Sequence, residues 1–262
     1  MNKEIEDIKL KMSRRLITIC EMLRDSERPV SCVADVGCDH GYISIYLVQH
    51  GIADRAIAMD VRKGPLSGAE SNIEEYGQRD KITTRLSDGL KVLTPGEADA
   101  VVVAGMGGKL MIKILEEGKL TALGISQGIL QPQSELSEFR KYLREKGYSI
   151  LDERVIHEDG KYYFPMKVTF TSEQNDRENQ GMTDVSCTDK ISAWEHNTRI
   201  CDRFGKYNIL RRDPVLHDFL IRGREVCLSI LQNLDKTGHS ERYAEVEEEL
   251  SDINTVLQLF EG

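Results

Sequence analysis

The sequence predicts an α/β protein: a doubly wound, largely parallel sheet with one antiparallel strand, followed by a C-terminal helical module. Three observations lead there. Residues 31–60, SCVADVGCDHGYISIYLVQHGIADRAIAMD, run as strand, glycine-bracketed turn, helix and second strand ending on aspartate, the layout of a mononucleotide-binding half. Strand and helix keep alternating to about residue 146, and the alternation closes on an Asp-Gly hairpin signal. Beyond a polar stretch, the apolar residues change to three- and four-residue spacing.

Taken in order, Ile5, Ile8, Met12, Leu16, Ile19 and Leu23 recur at helical spacing and predict one N-terminal amphipathic helix packed on the neighbouring domain. Lys11 and Arg14 fall on its opposite side and Arg15 at the flank, which reads as a solvated face rather than an RNA contact. Val33, Ala34 and Val36 form the apolar run of a buried first strand. A second strand over 55–60, a helix over 63–76 and a third strand over 81–86 ending at Ser87-Asp88-Gly89 come next. DAVVVA, residues 99–104, is a fourth strand that runs into Gly105-Met106-Gly107-Gly108 and a helix to about Glu117. A fifth strand over 128–131 precedes a helix over 134–146, and two last strands, 148–156 and 162–170, flank Glu158-Asp159-Gly160-Lys161.

Residues 171–189, TSEQNDRENQGMTDVSCTD, read as a polar linker. Asp213-Pro214 is then an N-cap and first-turn pair. Leu216, Leu220, Gly223, Cys227, Ile230 and Leu234 form one seam, and Tyr243, Val246, Leu250, Ile253, Leu257 and Phe260 a second. The two predict a helical hairpin, coiled-coil-like but too short for an autonomous coiled coil. The expected organisation is a catalytic domain over 1–170, a linker over 171–189 and a helical domain over 190–262, with Trp194 anchoring the last.

Composition sets outer limits. At 262 residues and a formal net charge of −9, the chain holds one ample core and is excluded from the globally basic nucleic-acid binders. Between Arg199 and Arg224, however, seven basic residues face three acidic ones, the best candidate phosphate-binding segment. The six cysteines show no ligand spacing, so reduced thiols and no structural zinc are expected. No long apolar run or signal-peptide core occurs, which predicts an intracellular, cytoplasmic protein without membrane contact.

The turn after the first strand carries the chemistry. A pyrophosphate loop has the form G-x-G-x-x-G, but here Cys38, Asp39 and His40 separate Gly37 from Gly41. Asp35 and Asp39 bring negative charge that would repel a pyrophosphate and would accommodate a cationic nucleoside such as S-adenosylmethionine. Asp60, at the end of the second strand, is placed for ribose hydroxyls, and Asp88 for an adenine amino group. The small residues Ala104, Gly105 and Gly107 around Met106 leave a slot for a flat base.

These motifs together resemble the bacterial tRNA (adenine-22-N1)-methyltransferases. The resemblance covers nearly the whole chain: KMSRRL, VADVGCDHGYISIYL, KGPLSGAESNI, SDGL, EADAVVVAGMGG, ILQPQSE and HEDGKYYFPM occur in order ahead of a helical module. Cys38 stands where the family carries a hydroxyl residue, and Gln133 where many members have asparagine. The resemblance implies a Rossmann-like class I methyltransferase fold that uses S-adenosylmethionine, releases S-adenosylhomocysteine and acts on tRNA, as a monomer and without a metal.

It also implies cofactor contacts at Asp35, Gly37, Cys38, Asp39, Gly41, Asp60, Val61, Asp88, Gly89, Ala104, Gly105 and Met106. Substrate contacts are expected at His40, Tyr42, Gly107, Gln131, Pro132, Arg211 and Arg212, and roles nearest the reacting atoms at Asp39, Tyr42 and Met106. Tyr42 is read as the residue that stacks on or positions a flipped adenine, with packing as its alternative. Asp39 could instead cap the following helix. A methyltransferase of a small molecule or protein, and a noncatalytic S-adenosylmethionine- or RNA-binding module, remain the competing classes.

Overall fold

The computed structural model describes residues 6–24, 29–170 and 197–261. They divide into two compact units, Met1–Asp152 with Tyr163–Gln180, and Glu153–Tyr162 with Gly181–Gly262. The expected linker at 171–189 lies outside the described residues, as do Ile5, Cys187 and Trp194.

The first unit opens on a 3-10 turn, Ile8–Lys11, and a helix α1, Arg14–Leu23, where a single helix was expected. Ser13 explains the break. Its backbone is extended, with ψ 156, and its hydroxyl accepts a hydrogen bond from the Leu16 N–H, starting a new helix inside a continuous apolar pattern. Ile8, Met12, Ile19 and Leu23 are buried all the same.

The chain continues through β1 (Val30–Val36), α2 (Tyr42–Gln49), β2 (Ala53–Asp60), α3 (Lys63–Glu75) and β3 (Ile82–Leu86). Next come β4 (Ala100–Met106), α4 (Gly108–Gly118), α5 (Leu120–Leu123), β5 (Gln127–Pro132) and α6 (Leu136–Glu145). Four short strands complete the β-structure: β6 (Ser149–Glu153), β7 (Ile156–Glu158), β8 (Lys161–Tyr163) and β9 (Met166–Thr169). Seven strands pair in the order β3-β2-β1-β4-β5-β9-β6, and β7 pairs with β8 alone. β1 through β5 are parallel neighbours, while β9 runs antiparallel to β5.

The strands are apolar at successive positions because both sheet faces are covered. Val33, Ala58, Val102 and Ile129 enter one core with residues of α1, α2 and α3. Their neighbours Ala34, Ile57, Val101 and Leu130 enter a second core with residues of α4 and α6. The two long strands expected around Asp159-Gly160 are each divided in two. Pro165, which has no N–H for a ladder, stands between β8 and β9.

The β7–β8 hairpin belongs with the second unit rather than with the expected catalytic domain. Its Tyr162 ring stacks on His157, centroids 4.4 Å apart, and meets Phe219 edge-on at 5.1 Å. That unit also contains α7 (Thr198–Phe204), α8 (Lys206–Leu210), α9 (Pro214–Asn233) and α10 (Ser240–Glu261). The Asp213 carboxylate caps α9 by accepting from the Val215 and Leu216 N–H groups at 2.8 and 3.3 Å, with Pro214 in the first turn. Leu216, Leu220 and Cys227 of α9 and Val246, Ile253 and Leu257 of α10 are buried, and Gly223 leaves room for the Ile253 side chain.

An ion network joins α7 to α10. Arg199 and Arg203 both donate to the carboxylate of Asp252, which is 2% exposed, and Arg199 also pairs with Glu248. Removing one partner of a buried network leaves the others desolvated and uncompensated. We expect Asp252→Ala to lower the unfolding free energy by about 2–4 kcal/mol, discounted for the partial exposure of both arginines. Denaturant melts followed by circular dichroism measure it, and an unchanged midpoint would refute a structural role for the network.

Candidate functional site

The candidate site lies wholly in the first unit. At β1 the strand order reverses, with β2 and β3 on one side and β4 and β5 on the other. Such a reversal opens a crevice at the carboxyl ends of the strands. A cavity of about 620 Å³ fills it, within the usual range for small-ligand sites.

The turn after β1 forms one wall. Gly37 has φ +73, its N–H and that of Cys38 both donate to the Met59 carbonyl at 2.8 and 2.9 Å, and the Met106 methyl occupies the space a Cβ would need. A Cβ there would displace that methyl, the far end of a flexible side chain, so the left-handed backbone is the stronger reason for glycine at Gly37. Cys38 is buried and its thiol is pushed up by desolvation and then by Asp35, Asp60 and Asp39, which holds it protonated. Asp39, at φ +50, lines the cavity. It does not cap α2, whose cap is Gly41 without a side-chain bond. The rings of His40 and Tyr42 stack at 5.8 Å and 26° on the same wall.

The ends of β2 and β3 form the second wall. Asp60 is 4% exposed, and its Oδ1 accepts from the Arg62 N–H at 2.8 Å. Its Oδ2 takes no hydrogen bond from any described residue and so remains an acceptor for a ligand donor. Val61, Asp88 and Gly89 line the cavity beside it, and the Asp88 carboxyl, paired with Lys91, is held below the usual range. Ala104, Gly105 and Met106 at the end of β4 close the third wall.

Several expected contacts lie elsewhere. The Asp35 side chain is 2% exposed, does not line the cavity, and accepts from the Ser44 hydroxyl at 2.7 Å, fastening the start of α2 to β1. Gly41 is packed against Ala69 of α3. Gly107 caps α4, and Gly108 behind it donates to the Glu135 carboxylate. Gln131 is wholly buried, its Oε1 accepting from Arg15 at 2.7 Å and its Nε2 donating to the Pro132 carbonyl at 3.1 Å. Pro132 is buried too, so the exposed Gln133 takes the cavity position expected of this pair. In the second unit, Arg211 donates to the Glu153 carbonyl and to Asn208, while Arg212 is exposed at φ +49.

Among the lining residues that sequence reasoning missed are the polar Arg15, Arg62, Ser87 and Gln133 and the apolar Leu16, Val36, Ile43, Leu110 and Ile114. Ser87 could have been read from the same SDGL turn as Asp88. Arg15 carried no periodic signal, because a long side chain at the flank of a helix reaches inward as readily as outward.

A family model for a methyltransferase domain matches residues 12–166. The curated tRNA (adenine(22)-N(1))-methyltransferase of Bacillus subtilis is 40% identical over 154 residues, 59% of this chain and 63% of that protein, so the match spans less than two thirds of the relative. The crystal structure of the B. subtilis m1A22 tRNA methyltransferase TrmK superposes with a TM-score of 0.71 at 28% identity, covering 96% of this chain and 98% of that one. This chain belongs to the methyltransferase-domain family. A further member, Sp1610 of Streptococcus pneumoniae in complex with S-adenosyl-L-methionine, superposes at TM-score 0.73 and 27% identity over 94% of this chain and 99% of that one.

In this methyltransferase the Asp35 carboxyl is pushed up to about 6 by burial, with the Asp60 charge adding to the shift and the Ser44 bonds opposing it. An unfolded aspartate ionises near 3.9. Between the two values the unfolded chain has lost a proton that the folded chain keeps, so this stabilisation is complete below about pH 4 and is lost as pH rises through 6. We expect the unfolding free energy of Asp35→Asn, relative to the parent, to rise by about 2 kcal/mol between pH 4 and pH 7. Urea melts across that range measure the difference, and a pH-independent difference would overturn the assignment.

Proposed function

We propose that this chain transfers a methyl group from S-adenosylmethionine to N1 of adenine 22 in tRNA. The observation that carries the reading is the pairing, in one cavity, of a carboxylate-rich lobe holding the free Asp60 Oδ2 with a glycine-walled slot at Gly105 and Met106. The first suits a cationic nucleoside and the second a flat base. When bound, S-adenosylmethionine supplies an electrophilic methyl on a sulfonium.

Each side chain then has a role. Asp60 accepts from ribose hydroxyls, Asp88 stands near an adenine amino group, and Asp39 offers its charge to the amino and sulfonium end. Adenine N1 carries an in-plane lone pair that attacks in line, so alignment matters more than a general base. Its product is cationic, and the Asp39 carboxylate at the sulfonium end stabilises the charge that develops. N1 lies on the Watson-Crick edge, so a paired adenine must first be extruded, and the Tyr42 ring is the positioning surface for it. Catalysis belongs to residues 1–170 in this reading, while the helical domain, 190–262, orients the RNA through exposed cations such as Lys206, Arg212 and Arg222.

Incubation with unmodified tRNA and labelled S-adenosylmethionine, followed by nucleoside analysis, tests the whole. 1-Methyladenine at position 22 is the expected product, and its absence across a full tRNA pool would sink the reading. We also expect Asp60→Ala to weaken S-adenosylmethionine binding by roughly 10- to 150-fold in calorimetric titration, the loss of charge-assisted hydrogen bonds. Tyr42→Ala should cut turnover by roughly five- to 150-fold with cofactor affinity retained, whereas parental turnover would return Tyr42 to packing.

A further inference from the structure

Most cations near the cavity are already engaged. Arg62 approaches the Asp60 carboxylate at 3.5 Å, and Lys91 is paired with Asp88 and Glu117. On the N-terminal 3-10 turn, Lys11 meets Glu75 at 3.4 Å and lies over the Tyr76 ring. Arg15 differs from all of these. It lines the cavity, is half-buried, and has no acidic partner among the described residues.

Two contacts fix its guanidinium. Nη1 donates to Oε1 of the buried Gln131 at 2.7 Å, and Cζ lies 5.0 Å from the centroid of the Tyr163 ring. Together they hold one end and one face of the plane. The Nε–Nη2 edge keeps no partner among the described residues. That edge is a two-donor fork whose spacing matches two oxygens of a phosphate, and its orientation is set before any ligand arrives. Nη1 lies 3.9 Å from the position a Cβ on Gly105 would take, which puts the guanidinium beside the slot at Gly105 and Met106.

We propose that Arg15 is a substrate-positioning residue that clamps a phosphate of the acceptor nucleotide, an inference that rests on reading the acceptor as an adenine in tRNA. Charge selects the phosphate over the base. Asp39, Asp60 and Asp88 line the same cavity and repel a nucleic-acid backbone, so a phosphodiester that enters with its base needs a local cation. A guanidinium against the base edge would oppose the positive charge that N1 methylation creates. Against the phosphate it attracts the substrate without that penalty.

The test is tRNA binding by the full chain across a salt series with S-adenosylhomocysteine present, for the parent, Arg15→Gln and Arg15→Lys. Arg15→Gln should reduce the slope of log K against log salt by about 0.7–0.9 and lower kcat/KM for tRNA by about 10- to 100-fold. Affinity for S-adenosylmethionine should stay within about two-fold. Arg15→Lys should keep the slope but recover only part of kcat/KM, because an ammonium supplies charge without the fork. A parental slope in Arg15→Gln, or a loss of cofactor affinity in step with methylation, overturns the clamp. The two readings fail separately: a parent that binds tRNA but makes no 1-methyladenine refutes the activity, whereas an unchanged slope in Arg15→Gln with methylation intact in the parent refutes the clamp.

Discussion

The crevice depends on how β1 is flanked: because β2 pairs on one edge and β4 on the other, the chain must leave its carboxyl end in a turn that obstructs neither neighbour. Gly37 meets that demand. Its N–H and that of Cys38 tie the turn to the Met59 carbonyl of β2, while the place of its missing side chain is filled by the Met106 methyl from β4. One residue thereby sets the spacing between two lips of the cavity. Behind it, the Asp35–Ser44 bond fastens α2 to the same strand and aims the start of that helix, with Tyr42, at the opening.

Under the proposed function, a cavity lined by carboxylates in a chain of net charge −9 must admit RNA, and the work divides by position. Anionic side chains suit the cationic cofactor and the cationic product, both of which are local charges at short range. Beyond the one phosphate assigned to Arg15, the polyanion requires cations outside that radius, since screening leaves charges further than about 8–10 Å apart nearly independent at physiological salt. The supply is smaller than composition suggests. Arg199 and Arg203 stabilise the second unit through Asp252, and Arg211 holds the Glu153 carbonyl, so only part of the basic segment faces solvent with its charge uncommitted.

Much of the fold was legible because both sheet faces are buried: apolar runs such as DAVVVA admit no other home in a chain of alternating strands and helices. The lining of the cavity was legible where backbone geometry dictates residue type, as at Gly37, Asp60 and Gly105. What stayed hidden was decided by single side chains. Ser13 interrupts a continuous apolar stripe by capping a new helix, and Pro165 divides a strand that alternation alone carried through. Hydropathy could not distinguish Asp35, buried near the end of β1, from Asp39, which faces the cavity from the turn after it, because both are aspartates four positions apart. Only the Ser44 hydroxyl, nine residues along, separates them.

The Gln131-Pro132-Gln133 run shows the same division at the acceptor side. Gln131 is closed on itself and on Arg15, so its amide supports the wall without facing the cavity. Gln133, two positions later, is held by its backbone N–H to the Met106 carbonyl at 2.8 Å and carries its amide into the opening. The difference follows from strand geometry, since β5 is covered on both faces and ends at Pro132, so Gln131 is enclosed and the residue beyond the strand is not. An amide so placed can accept from an adenine amino group or donate to a ring nitrogen.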